Sequence, residues 1–215
     1  GASSHYLRHW REMRPLDAAL SLTEAIPTAF YHNLGLARYI QDMITLAGGS
    51  DSFMDLDREL YIIATDLDSG DRAVFGEGDL ADVPISMAVA ASSAVPLLYR
   101  PVRIKDHDYV DGGVRGMASL DVAIEHGAKL VVVVNSAVPL DNSQHSQRSQ
   151  VPFLNPKSRR LSDKGAPAVV AQVYRTLFHA GLSYHIKQVA RRYRDVTIIL
   201  IEPEPTDGSM FFFNS

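Results

Sequence analysis

The chain has 215 residues, 46% of them hydrophobic and 21% charged, with a net charge of −4 and no cysteine. This fits one globular domain with a full core, or most of a larger one. The lack of cysteine excludes disulfides, thiolate metal sites and a cysteine nucleophile, the acidic balance leaves no overall basic field for nucleic acid, and no apolar run has the length of a membrane-crossing helix.

Gly1-Ala2-Ser3-Ser4 has the first four positions of a Gly-x-Ser-x-Gly nucleophile elbow. His5 stands where the second glycine belongs and no strand precedes, so these residues read as a remnant or a cut end. Residues 5–50 read as helical and irregular, with one helix over 6–13 and breaks at Pro15 and Pro27. Leu36, Ile40, Met43, Ile44 and Ala47 then mark one face of a helix that Gly48-Gly49 ends. The run Leu60-Tyr61-Ile62-Ile63-Ala64 predicts a buried strand, residues 68–71 a turn and residues 72–75 a returning strand. Asp66 and Asp68 resemble half of a metal loop, but no glutamate stands at the required distance, so turn capping is the better reading.

A helix is expected over 83–93, capped by Asp82, with Pro84 in its first turn and Ile85, Ala88, Val89 and Ser92 on one face. Its end, Ala91-Ser92-Ser93-Ala94, is built of small side chains, and Pro96 stops it. Ser92 and Ser93 lack a neighbouring base and read as structural. Residues 102–110 read as a short hairpin. Asp111 follows directly, before Gly112 and Gly113. A carboxylate ending a strand, followed by two glycines, can sit on a sharp turn where φ > 0 and close approach are allowed, which suits a general base facing a cleft. The same tripeptide is also an ordinary turn sequence.

Residues 120–126 predict a helix and 130–134 an apolar strand, the α/β pattern of a parallel, doubly covered sheet. Asn135, just beyond that strand, is a candidate crevice residue. Residues 137–165 read as a long mobile loop, whose Lys157, Arg159 and Arg160 could meet phosphate headgroups, though a solvated loop is the simpler reading. Residues 166–194 read as one long helix or two, with Gly181 as the point of a bend, and carry the stripe Val169, Val173, Leu177, Ala180 and Tyr184. His179 and His185 are six residues apart, share no helical face and make a poor metal pair. Residues 196–201 predict another strand, and Met210 to Phe213 the start of a truncated helix.

Several of these pieces, in this order and spacing, resemble the patatin-like phospholipases. They are Ala64-Thr65-Asp66-Leu67 with Ser69-Gly70, then Ala91-Ser92-Ser93-Ala94-Val95-Pro96, then Tyr109-Val110-Asp111-Gly112-Gly113-Val114, and then the helix and strand from Asp121 to Asn135. The resemblance covers residues 58–136 well and 195–213 more loosely. It implies a three-layer α/β/α fold with a mostly parallel central sheet, incomplete here at both ends. It also implies a lipid acyl hydrolase that works through a Ser–Asp dyad and an acyl-serine intermediate. Carried over by position, Asp111 is the base, with Gly112 and Gly113 supporting the motif.

No complete Gly-x-Ser-x-Gly occurs in the sequence, nor an early glycine-rich loop for an oxyanion. The chain therefore reads as the later part of one patatin-like domain: 1–57 a helical cap region, 58–136 the core with the aspartate motif, 137–165 the loop, and 166–215 a helix and final strand. The implied partners are a lipid or phospholipid ester substrate, peripheral membrane contact, and an upstream segment or second chain carrying the nucleophile. No nucleic acid, metal or organic cofactor is expected. A non-catalytic lipid-binding domain of the same fold is the alternative. A nucleotide-binding α/β domain is disfavoured, because neither Gly-x-Gly-x-x-Gly nor a phosphate-loop lysine motif is present.

Overall fold

The computed structural model describes residues 29–116, 118–141 and 160–204. Contacts divide the chain into two compact units whose boundary in sequence falls between Asp111 and Gly112. The stretch 58–136 contributes to both.

In the first unit the described elements are β1 (Ala29–Tyr31), α1 (Leu34–Leu46), β2 (Ile62–Asp66), β3 (Arg72–Phe75), α2 (Ile85–Ser92), β4 (Leu97–Tyr99), β5 (Val102–Ile104) and β6 (His107–Asp111). β1 pairs with β4 in parallel, and β3-β2-β6-β5 form a four-stranded sheet that is antiparallel throughout. That sheet departs from the expected mostly parallel arrangement. The reversals at 67–71 and at Lys105-Asp106 are too short for anything but antiparallel neighbours, since a parallel return needs a dozen or more residues. β-branched Ile62, Ile63 and Thr65 suit β2 to a pleated surface. Its turn is organised by Asp66, whose Oδ1 accepts the amides of Asp68 and Ser69 at 2.9 and 3.2 Å, and by Gly70 at φ 73°.

α2 is buried on most of its circumference. Ile85, Ser86, Ala88, Ala90 and Ala91 are all covered, so the expected single apolar face is too narrow a description. Its small side chains let it pack among α1, β2, β5 and β6, where Phe75, Ala64, Tyr109, Val102 and Ile104 complete the core. The cap is also different from the expected one. Asp82 instead pairs with Lys105 at 2.8 Å, and Asp51 receives the Ser86 amide at the helix start. In α1, Leu36, Ile40 and Ile44 of the expected face are half-buried, whereas Met43 and Ala47 are exposed.

The second unit holds α3 (Leu120–Glu125), β7 (Leu130–Val134), α4 (Ala166–Arg192) and β8 (Thr197–Ile201). β7 and β8 pair in parallel, Leu130 opposite Thr197 through Val134 opposite Ile201. Val131, Val133 and Ile198 turn inward onto Leu120, Leu182 and Val189. The other face of the pair, with Leu130, Val132, Val134, Ile199 and Ile201, is apolar and exposed. α4 is continuous through Gly181. Its expected stripe is overturned: Val169, Val173, Leu177, Ala180 and Tyr184 are exposed, while Ala168, Leu182 and Val189 are buried. Apolar residues ring this helix, so periodicity alone does not select the packed side, and contact with α3 and the strands does.

The Ser3 elbow, the helix at 6–13, Lys157 and Arg159 of the basic run, and the segment Met210 to Phe213 lie outside the described residues.

Candidate functional site

Asp111 is the last residue of β6 and is half-buried. It pairs with Ala64 of β2. Its N–H leaves the ladder and donates to the Ala94 carbonyl just past the end of α2, at 3.0 Å. Its C=O accepts the Thr65 hydroxyl at 3.1 Å. Three of the pieces that carry the sequence resemblance therefore meet at one residue: the β2 strand with Thr65, the small-residue end of α2 with Ala94, and the aspartate itself.

Gly112 is buried and opens a single 3-10 turn, Gly112–Val114. The expected left-handed glycine is not found at 112 or 113. Positive φ among the described glycines falls at Gly48, Gly70, Gly76, Gly78, Gly127 and Gly165. A 3-10 turn reverses the chain with right-handed dihedrals, so absence of a Cβ at Gly112 relates to its burial rather than to φ.

A second polar arrangement lies on β2 and β6. His107 Nδ1 is 2.7 Å from Asp66 Oδ2. Burial raises the Asp66 pKa, but the amides of Ser69 and Asp68 and the His107 ring outweigh it, and the carboxyl ends below its ordinary value. Asp66 thus combines the expected turn cap with a link to the β5–β6 hairpin.

In the second unit, Asn135 is buried and joins the ends of the two parallel strands. Its N–H donates to the Ile201 carbonyl at 2.9 Å, its Nδ2 donates to Glu202 Oε1 at 2.7 Å, and its Oδ1 accepts the Ala137 amide at 2.9 Å. His179 Nδ1 lies 3.2 Å from Glu202 Oε1 but without hydrogen-bond geometry. His185 Nε2 lies 3.9 Å from Asp121 Oδ1. The two histidines thus approach different carboxylates. The Asn135–Glu202 link was not read from the sequence, though a signal existed: each residue directly follows an apolar strand, and parallel strands in register bring such residues side by side.

Among the described residues no group of three or more His, Asp or Glu side chains is placed to hold a metal ion. No helix among them is long and apolar enough to cross a membrane.

No curated protein matches the chain. The family description "patatin-like phospholipase" matches residues 5–124, more than half of the chain. The match begins well upstream of the expected stretch and includes β1–β6, the Asp-Gly-Gly motif and most of α3. With over half its length matched, and with the aspartate motif inside that match, the chain belongs to the patatin-like phospholipase family.

Proposed function

We propose that this chain is the aspartate-bearing part of a serine-dependent lipid acyl hydrolase, with Asp111 as the general base. The observation that carries the proposal is the hold on Asp111: a carboxylate at a strand end, its main chain bonded to Ala94 and Thr65 on either side of its Cα. Family membership supports the reaction class. The nucleophile comes from outside these 215 residues, since they contain no complete Gly-x-Ser-x-Gly.

A serine hydroxyl becomes an effective nucleophile when a base takes its proton during attack. Asp111 accepts that proton as the serine oxygen bonds to the acyl carbon and the carbonyl electrons move to an oxyanion. When the tetrahedral species collapses, the ester C–O bond breaks and the alkoxide takes the proton from Asp111. Water then attacks the acyl-serine, Asp111 again accepts a proton, and it passes that proton to the departing serine oxygen. A carboxylate is a weak base in water, but held against the hydroxyl in a partly dry cleft it serves. Gly112 and Gly113 support the motif by following the base directly, Gly112 as a buried residue that brings no side chain against its neighbours.

The fold we propose for the complete domain is three-layered, α/β/α. The bare apolar face of β7 and β8 supports this, because parallel strands are normally covered on both sides. The substrates are acyl esters of glycerophospholipids or related lipids, met at a lipid surface.

In the intact protein, Asp111→Asn is expected to lower turnover of p-nitrophenyl butyrate by at least ~10²-fold while the fold survives. Near-normal turnover by a folded variant would exclude the role. The 215-residue chain alone should show no esterase activity, and serine labelling by a fluorophosphonate probe would overturn that. The missing elbow also favours a second reading, a lipid-holding domain without catalysis. Lipid binding without turnover by the intact protein would favour it.

A further inference from the structure

We infer that Thr65 is a positioning residue for Asp111. The inference rests on the proposed role of Asp111 as base. Thr65 lies on β2, one residue after the Asp111 partner Ala64, and is buried at 3% exposure. A strand here asks for a β-branched side chain, and valine would meet that need without a polar atom. The hydroxyl is the part that the strand does not require. It donates to the Asp111 carbonyl at 3.1 Å.

That carbonyl is a sensitive point. Asp111 ends β6, and the chain turns at once into the Gly112–Val114 3-10 turn. Neither glycine has a side chain with which to brace the turn. The Asp111 N–H is held by Ala94 at 3.0 Å, which restrains one side of its Cα. The Thr65 hydroxyl restrains the other. With both flanking peptide planes held, the direction in which the Cα–Cβ bond leaves the strand is set, and with it the point from which the carboxylate extends. Removing the hydroxyl frees one plane. A misplacement of about 1 Å in a reacting group can cost on the order of 10²-fold in rate.

The test uses the intact enzyme, p-nitrophenyl butyrate, and the variants Thr65→Val, Thr65→Ser, Asp111→Asn and the Thr65→Val/Asp111→Asn double. Thr65→Val keeps the strand shape and should lower kcat by about 10- to 10²-fold with KM unchanged. Thr65→Ser keeps the hydroxyl and should restore most of that loss. In the double variant, Thr65→Val should cost nothing beyond Asp111→Asn, because there is no base left to aim. If Thr65→Val does not fold, the comparison of Thr65→Ala with Thr65→Ser reads the hydroxyl in its place. Full activity of Thr65→Val, an equal loss in Thr65→Ser, or a loss that persists undiminished in the Asp111→Asn background would each overturn the inference. Normal activity of Asp111→Asn would instead overturn the reading of Asp111 as base, and the inference with it.

Discussion

Asp51 holds Ser86 through both of its carboxylate oxygens: Oδ1 accepts the Ser86 amide at 2.7 Å and Oδ2 accepts its hydroxyl at 2.6 Å. The Asp51 carbonyl also accepts the Ile85 amide at 3.1 Å. A residue far back in the chain thus satisfies the start of α2, where Pro84 offers no cap of its own. Asp51→Ala removes a helix cap, worth about 0.5–2 kcal/mol, and strands the buried Ser86 hydroxyl, at a cost of about 1–3 kcal/mol. We expect a loss of about 2–3 kcal/mol in urea unfolding at constant m-value. A loss below about 0.5 kcal/mol would show that the cap is dispensable.

Asp66 gives the fold an acid-sensitive element. Its carboxyl titrates below the ordinary carboxylate value, because two backbone amides and His107 outweigh the effect of burial. A depressed folded pKa stabilises the fold at pH values above the unfolded value of about 4, and that contribution is lost as pH falls through the lower folded value. Asp66→Asn should therefore be less stable than the parent at pH 7, and the gap should narrow below pH ~4. Urea midpoints for both proteins from pH 7 to pH ~2.5 provide the measurement. A gap of constant size across that range would contradict the assignment.

Gly76 and Gly70 make a controlled comparison. Gly76 has φ 102°, and a Cβ there would collide with the Leu60 carbonyl oxygen; Gly70 has φ 73° with open space around it. Alanine at either position meets left-handed backbone strain of roughly 1–2 kcal/mol. Only at Gly76 does it also force main chain apart, which adds about 1–3 kcal/mol. Gly76→Ala should therefore destabilise by about 3 kcal/mol or more and Gly70→Ala by about 1 kcal/mol. Equal thermal midpoints for the two variants would remove the steric argument.

Legibility in the sequence followed the range of the forces involved. The hairpin of β5 and β6, the strands β7 and β8, and the helix α2 depend on alternation, apolar runs and breakers within a few residues, and all were visible. The Asp-Gly-Gly motif was visible as a pattern, and the family match includes it. What holds Asp111 was not visible, because Thr65 and Ala94 come from other parts of the chain. The same reason hides the Asp51 cap behind the nearer Asp82. On α4 the difficulty was different: Val173 and Leu177 look as suitable for a core as Leu182 and Val189, and only the partner strands distinguish them.

The parallel pairing of β7 with β8 has a kinetic cost. The whole of α4 lies between the two strands, so their register can form only after a long segment has closed on itself. Until then Leu-Val-Val-Val-Val and Thr-Ile-Ile-Leu-Ile, each uncharged and of high strand propensity, remain open to other chains. Lys129 and Asp195, which pair with each other, place a charge just ahead of each strand, where it opposes such association. Refolding yield should consequently fall as protein concentration rises, and neutralising both charges should make that fall steeper.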